Sequence, residues 1–154
     1  MRIRKATLED AKELSALRKA TIRAINKHDY TPSQIARWSK RWNTVEFQLQ
    51  DDPFLRYVAV QDGKIVGYAD IRKKSPEEMG GLYVRKDFIQ KGVGRKLMKK
   101  IEDMVRKMGV KSFLLHSSTT AKGFYEKLGY TVLSLKKNRI KGDYYILEKK
   151  LLHP

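Results

Sequence analysis

The segment KGVGRKL, residues 91–97, places two glycines directly before a run of residues typical of a helix. The first N–H groups of a helix have no intrahelical acceptor and carry a partial positive charge. Glycines there let a phosphate come close to those N–H groups, and Lys91, Arg95 and Lys96 add formal positive charge. The pattern predicts a diphosphate cradle at residues 91–95, although the same pattern is also typical of an ordinary turn.

Other phosphate-binding and metal-binding patterns are absent from the sequence. There is no G-x-x-x-x-G-K-[ST] segment, which argues against a P-loop nucleotidase, and a dinucleotide fingerprint would need glycine at Leu97. The absence of cysteine excludes disulfides, a cysteine nucleophile and thiolate metal sites. With only three histidines, His28, His116 and His153, a histidine-rich zinc site is not expected either, so we predict no metal.

The composition indicates a basic protein of one domain, residues 1–154, with enough apolar residues (41%) for a core. Lysine and arginine total 34 against 17 acidic residues, a net charge of +17. Such a surface attracts nucleic acid or a phosphorylated ligand, but the basic residues are spread along the chain, as on an ordinary solvated surface. No apolar run approaches the length of a membrane span, and the first ten residues contain several charges and no apolar signal-peptide core. We therefore predict a cytoplasmic protein without a membrane partner.

The elements around the glycines form a strand, loop, helix and strand. MGGLYV, residues 79–84, reads as a strand, and KSFLLH, ending at residue 116, reads as a second one. Between them an apolar stripe predicts a helix over residues 95–108, stopped by Gly109: Leu97, Met98, Ile101, Met104, Val105 and Met108. A βαβ unit places its two strands in parallel.

The flanking segments predict antiparallel strands and further helices. Thr7 and Asp10 resemble a capping box after a first strand, Pro32 opens helical sequence, and Asp62-Gly63 marks a hairpin turn. The remaining expectations are a helix over 119–128 and closing strands over 130–135 and 143–150. The fold class is therefore α+β: a mixed, mostly antiparallel sheet of about six to seven strands with a central parallel pair, flanked by about four helices.

Two segments give the chain a family resemblance. The first is LYV, a charged turn, and G-V-G at a helix start; the second is A-x-x-F-Y-E-K-L-G-Y, with Ala121, Phe124, Tyr125 and Gly129 in register. Together they resemble the GNAT superfamily of acetyl-CoA-dependent N-acetyltransferases, over nearly the whole chain. The resemblance implies that the two parallel strands splay apart and that acetyl-CoA lies between them.

The resemblance also assigns the contacts to acetyl-CoA. The pantetheine arm would bond along Leu82, Tyr83 and Val84, and Ser118 would offer it a hydroxyl. The diphosphate would take N–H groups from Lys91, Gly92, Val93, Gly94 and Arg95. Two positions depart from the family pattern, because Ile89 and Gln90 stand where Gln or Arg followed by Gly is usual. A positive φ at Gln90 would be unfavourable for that residue.

For the chemistry, the resemblance implies direct acetyl transfer to an amine, which agrees with the absence of cysteine. Tyr125 stands at the position of the family's usual acid, and a phenol with a pKa near ~10 remains protonated at neutral pH. The general base is open between Glu78, which lies four residues before Leu82, His116, and water alone.

The acceptor is not readable from the sequence. Tyr30, Trp38, Trp42 and Phe54 lie where the family walls its acceptor pocket, but they could equally be core residues. A small-molecule or peptide amine fits the resemblance, and the sequence does not decide between a monomer and a homodimer. The alternative function is a catalytically weak binding module of the same fold, associated with nucleic acid through its basic surface.

Overall fold

The computed structural model describes residues 1–40, 47 and 52–152. These residues contain seven strands and four α-helices, in chain order β1 (Arg2–Lys5), α1 (Ala11–Ile25), α2 (Pro32–Ser39), β2 (Phe54–Gln61), β3 (Lys64–Arg72), β4 (Met79–Val84), α3 (Val93–Lys107), β5 (Ser112–Ser118), α4 (Lys122–Lys127), β6 (Thr131–Lys136) and β7 (Tyr144–Lys150). Trp42, a candidate pocket residue, lies outside the described residues. No helix of the described part is long and apolar enough to cross a membrane.

The strands form two antiparallel sheets, in the order β1-β2-β3-β4 and β5-β7-β6. The hairpin of β2 and β3 turns at Asp62-Gly63, where both residues have positive φ (50° and 74°), as a tight hairpin turn requires. Two bulges interrupt the first sheet, one between β2 and β3 and one between β3 and β4. The second bulge leaves Gly80 as the extra residue on β4, because Asp70 pairs with Gly81 and Ile71 with Met79.

Among the described residues, one β-bridge connects the backbones of the two sheets. Glu78, just before β4, forms a parallel bridge with Leu114 of β5, and the Leu114 N–H donates to the Glu77 carbonyl at 2.8 Å. Beyond this point the described residues of β4 and β5 share no ladder, so the two parallel strands diverge toward their carboxyl ends. The predicted α+β class and the splayed parallel pair are confirmed.

The helices cover both faces of the first sheet. On one face, α1 packs Leu14 and Leu17 against Val58, Ile65 and Tyr68. On the other, α3 buries its apolar stripe against the strands, with each buried side chain stabilising the fold by about 1.5–3 kcal/mol: Val93, Leu97, Met98, Ile101 and Val105. α4 joins the same core as α3.

The boundaries of several elements differ from the sequence-based ones. α3 begins at Val93, because Gly92 supplies the N-cap and Gly94 is already helical, so the predicted start at residue 95 is late. The α4 helix is shorter than expected because its first turn, up to Ala121, is organised by Ser118. The capping box at Thr7 and Asp10 is confirmed, but it opens a 3-10 turn (Leu8–Asp10) ahead of α1.

Candidate active site

The opening between β4 and β5 leads directly to the start of α3. After β4, a 3-10 turn (Lys86–Phe88) and residues 89–92 carry the chain to the N-cap Gly92, whose φ is 85°. Gln90 also has a positive φ, 61°, in a region that residues other than glycine enter at a cost of about 1–3 kcal/mol. The departure from the family pattern at Gln90 therefore falls on a position with a left-handed backbone.

The first N–H groups of α3 are the donors that the cradle offers. The first intrahelical bond of α3 is donated by the Lys96 N–H to the Gly92 carbonyl, at 3.1 Å. The N–H groups before it, on Val93, Gly94 and Arg95, have no intrahelical acceptor. Lys91 lies beside them, with its Nζ 5.2 Å from the centre of the Phe88 ring. The predicted cradle residues are thus contiguous at the mouth of the opening.

Gly94 has a packing role that the sequence did not show. It lies within α3 and is buried, and a Cβ atom there would stand 3.0 Å from Cζ of Phe124 and 3.7 Å from Leu82. Gly92, by contrast, has no heavy atom within 4 Å of such a Cβ, and its positive φ is the reason for glycine there. Close packing of α3 on α4 accounts for the glycine at position 94 without any ligand.

Tyr125 of α4 is buried, with its ring edge-on to Phe124 (5.1 Å between centroids) and to Tyr130 (5.9 Å). Burial raises the pKa of the Tyr125 phenol well above its usual range, and the nearby Tyr83 phenol acts in the same direction. Tyr125 therefore remains protonated at neutral pH and can donate a proton. The Tyr83 phenol that acts on it belongs to β4, one of the two strands that border the opening.

Ser118 ends β5 on the other side of the opening. Its Oγ accepts the Ala121 N–H at 3.1 Å, which organises the first turn toward α4. The hydroxyl proton is not used in that bond. Ser118 can therefore donate to a ligand between the strands while it caps the turn.

The face of β4 toward α1 carries a group of aromatic and cationic side chains. The rings of Tyr83 and Tyr68 lie 5.3 Å apart, and the buried Arg18 of α1 lies 5.2 Å from the centre of the Tyr83 ring. The Thr21 hydroxyl donates to the Val84 carbonyl at 3.1 Å. Helix α1 thereby fixes the carboxyl end of β4, the strand that would hold the pantetheine arm.

The two candidate bases from the sequence lie at the edges of the opening. Glu78 stands at its closed end, half exposed, with Oε2 3.5 Å from Nε of Arg72. His116 is exposed on β5, with its ring stacked on Tyr144 at 5.1 Å. The structure does not bring the two side chains into a shared hydrogen-bond network.

Tyr30 connects three loops on the side of the molecule that carries α1 and α2. Its hydroxyl donates to the Asp143 carbonyl at 2.7 Å and accepts the Thr119 N–H at 2.9 Å. Its ring lies edge-on to Trp38 at 5.6 Å. Two shallow grooves flank Tyr30, and neither is lined by a residue of β4. Tyr30 thus has a structural function, because its hydroxyl joins the segments that carry Thr119 and Asp143.

A buried ionic group beside β4 was not identified from the sequence. Arg56 of β2 donates through Nε to Asp70 Oδ2 at 2.8 Å and through Nη1 to Asp52 Oδ2 at 2.7 Å. Arg56 also lies against the Phe54 ring, at 5.8 Å. The sequence did contain a signal for this pair, since each of the apolar segments FLRYVAV and VGYADIR has a charged residue in its interior, Arg56 and Asp70. An unpaired charge is rarely buried, so two such residues in neighbouring strands indicate an ion pair.

Comparisons with known proteins agree with this geometry. The family model described as the acetyltransferase (GNAT) domain matches residues 26–142. An uncharacterized N-acetyltransferase of Methanocaldococcus jannaschii is 27% identical over 83% of this chain and 59% of its own length. The chain spans only 34% to 59% of the length of the curated relatives it matches.

Solved structures share the whole architecture. A GCN5-related N-acetyltransferase from Rhodopseudomonas palustris has a TM-score of 0.89 and 25% identity, covering 97% of this chain and 95% of that one. The PaiA N-acetyltransferase from Thermoplasma acidophilum, solved in complex with coenzyme A, has a TM-score of 0.80 and 21% identity, covering 97% and 98%. With the family model matching most of its length, the chain belongs to the GNAT acetyltransferase family.

Proposed function

We propose that this protein transfers an acetyl group from acetyl-CoA directly to a primary amine, with residues 1–154 acting as a single catalytic domain. The observation that carries the proposal is the β4–β5 opening with the unpaired N–H groups of α3 at its mouth. A strand edge and a helix N-terminus together suit a ligand that has an amide-containing arm and a diphosphate. Coenzyme A has both, and it is bound in the structurally similar PaiA enzyme.

The binding residues follow from that arrangement. The backbone of Leu82, Tyr83 and Val84 would bond the pantetheine amides as an added strand would, since β4 has no ladder partner on this edge within the described residues. The N–H groups of residues 91–95 would hold the diphosphate, with Lys91 and Arg95 adding charge. Ser118 would donate its hydroxyl from the opposite strand.

The chemistry needs one acid and one base. The amine must lose a proton before its lone pair attacks the thioester carbonyl, because an alkylammonium has a pKa near ~10.4 and is mostly protonated at pH 7. When the C–S bond breaks, Tyr125 donates its proton to the leaving thiolate. The absence of cysteine leaves no thiol for an acyl-enzyme, which favours direct transfer. Glu78 is the base that the family resemblance suggests, and His116 and water alone are the other candidates from the sequence.

The proposal is tested first by binding. Calorimetric titration of the wild-type protein with acetyl-CoA should give a one-to-one complex. The double substitution Lys91→Gln and Arg95→Gln should weaken binding about threefold to tenfold at low salt, because each exposed charge contributes less than about 1 kcal/mol and is screened. Lys107→Gln, in the last turn of the same helix, is the matched control and should leave the affinity unchanged.

Turnover is the second test. Release of the CoA thiol is followed with a panel of amines that includes spermidine, an aminoglycoside and a peptide with a free N-terminus and one lysine. Mass spectrometry of each product should show a gain of one acetyl group on nitrogen. The proposal fails if acetyl-CoA does not bind. Binding of duplex DNA with a steep salt dependence, in the absence of acetyl-CoA binding, would favour the nucleic-acid-binding alternative instead.

A further inference from the structure

The buried carboxylate of Asp70 lies beside the backbone of β4 at its bulge. Asp70 is 6% exposed and stands on β3 opposite Gly81. Arg56 bonds to its Oδ2, and its other oxygen, Oδ1, faces Gly80 so closely that a Cβ atom there would be 2.1 Å away. Gly80 is therefore glycine because this carboxylate and the Phe54 ring, with Cδ1 and Cε1 each 2.7 Å from such a Cβ, occupy the space of a side chain. The carboxylate and the Phe54 ring thus both lie against the backbone of β4 at the bulge, in the middle of the proposed site.

The bulge is where the reacting end of the co-substrate would lie. With the diphosphate at α3 and the pantetheine along Leu82–Val84, the arm runs from the carboxyl end of β4 toward its start. Its thioester end would then lie at Gly80 and Gly81, the two residues that contact Asp70. This step rests on the function proposed above.

Among the described residues, two carboxylates and one guanidinium form the ionic group at Asp70. The carboxylates of Asp70 and Asp52 share the single guanidinium of Arg56. Tyr68 of the same strand and the Gly81 N–H of β4 also face the group, and Arg18 of α1 lies beyond, against Tyr83. Burial, with the Asp52 charge acting in the same direction, raises the pKa of Asp70 to about 6.

We propose that Asp70 is the general base of the reaction, and that its Oδ1 takes the proton from the acceptor ammonium, directly or through one water molecule. An N–H bond breaks, an O–H bond forms on Asp70, and the nitrogen lone pair attacks the thioester carbon. After attack the nitrogen loses a second proton, the C–S bond breaks, and the thiolate takes the proton of Tyr125. The second proton lost by the nitrogen reprotonates Tyr125. Asp70 releases the first nitrogen proton to solvent, so each turnover releases one proton.

Asp70 is better placed for this task than the two candidate side chains from the sequence, Glu78 and His116. Glu78 is half exposed, is paired with Arg72, and stands at the closed end of the opening, outside the bulge. His116 is exposed and stacked on Tyr144. A carboxyl with a pKa near 6 is a stronger base than an ordinary one near ~4.3 and is still ionised at pH 7.

The chain provides a matched control, because Asp70 and Asp52 bond the same guanidinium. The assay is thiol release with the amine of the panel above that gives the highest rate, measured for the wild type and four variants from pH 5 to 9. Asp70→Asn should lower kcat/KM about 100-fold and abolish the acidic limb near pH 6. Asp52→Asn should keep the limb but shift it to lower pH. The Asp52 charge raises the Asp70 pKa in the wild type, so its removal should lower that pKa. Glu78→Gln and His116→Gln should leave the limb in place.

Other results would overturn the inference. If Asp70→Asn keeps the acidic limb, or loses no more activity than Asp52→Asn, the ionic group is only structural. If the limb disappears in Glu78→Gln or His116→Gln, the base is that residue. These outcomes are distinguished from failure of the proposed function by the wild-type protein, which should bind acetyl-CoA. If the wild type does not bind acetyl-CoA, the proposed function fails and the inference about Asp70 loses its basis.

The position of Asp70 is tested without turnover by carbon-13 NMR of the aspartate carboxyls, with the Asp70 resonance assigned from Asp70→Asn. Addition of acetyl-CoA should shift the Asp70 resonance and leave that of Asp10, paired with Arg4 near the first strand, in place. Equal shifts at both residues, or none at Asp70 under saturating acetyl-CoA, would contradict contact between Asp70 and the reacting end.

Discussion

The contact between Gly94 and Phe124 yields the sharpest stability prediction. Gly94→Ala adds a methyl group 3.0 Å from Phe124 Cζ and 3.3 Å from Cε1, both closer than an ordinary contact. Overpacking of this kind costs about 1–3 kcal/mol. Replacement of glycine by alanine in a helix stabilises by up to about 1 kcal/mol, so the net loss in free energy of unfolding should be about 0–2 kcal/mol.

The same substitution should change sign when Phe124 is made smaller. Phe124→Leu removes the ring atoms that the new methyl group meets, so only the helical preference of alanine remains. Gly94→Ala in that background should stabilise by about 0.5–1 kcal/mol. The double-mutant cycle should therefore show a coupling energy of about 1–3 kcal/mol between the two positions.

The measurement is urea unfolding of the four proteins, with acetyl-CoA affinity determined in parallel. Affinity should remain within about threefold for Gly94→Ala in the Phe124→Leu background, because alanine keeps the N–H that the diphosphate would use. Gly94→Pro is a poorer test, since its ring would meet Phe124 as well as remove the N–H. A coupling energy below about 0.5 kcal/mol would refute the packing explanation of Gly94.

Three further predictions concern single residues. Gln90→Gly should raise the free energy of unfolding by about 0.5–1 kcal/mol, because relief of the positive φ outweighs the added chain entropy; an unchanged urea midpoint would contradict it. Tyr125→Phe should lower kcat about 100-fold with little change in acetyl-CoA affinity, whereas an unchanged kcat would make Tyr125 a packing residue. The Arg4 guanidinium lowers the pKa of Asp10, so the carboxylate stabilises the fold above about pH 4 and less as pH falls. Asp10→Asn should therefore destabilise by about 1–2 kcal/mol at pH 7 and by less at pH 3, as measured by urea unfolding.

The central unit was predictable because its signals are local. The apolar stripe of α3 repeats at helical spacing, and a strand lies on each side of it in the sequence. A strand–helix–strand unit of this kind places its two strands in parallel. The diverging strands were implied by the resemblance alone, since no local pattern states how far two strands separate. The role of Gly94 was missed because Phe124 lies thirty residues away and on another helix.

The pairing of Arg56 with Asp70 shows why the candidate base could not be found from the pattern of the hairpin. A two-residue turn at Asp62-Gly63 pairs Gln61 with Lys64, and counting outward without interruption would place Arg56 opposite Ala69. In the structure a bulge between Ala59 and Val60 shifts the register by one residue.

That shift decides which side chains meet, because neighbouring residues of a strand point to opposite faces. It brings Arg56 opposite Asp70 and turns both toward the face that carries Tyr68 and Phe54. The second bulge, at Gly80, then lets the carboxylate lie against β4. Two one-residue irregularities thus bring a buried carboxylate to the strand that would hold the thioester. Deletion of Val66, the extra residue on β3, would remove the bulge and leave Arg56 opposite Asp70, because every other pair of the two strands is unchanged. We therefore expect that variant to keep both the ion pair and the acidic limb of the pH profile, and loss of either would show that the pair depends on the bulge itself and not on the register alone.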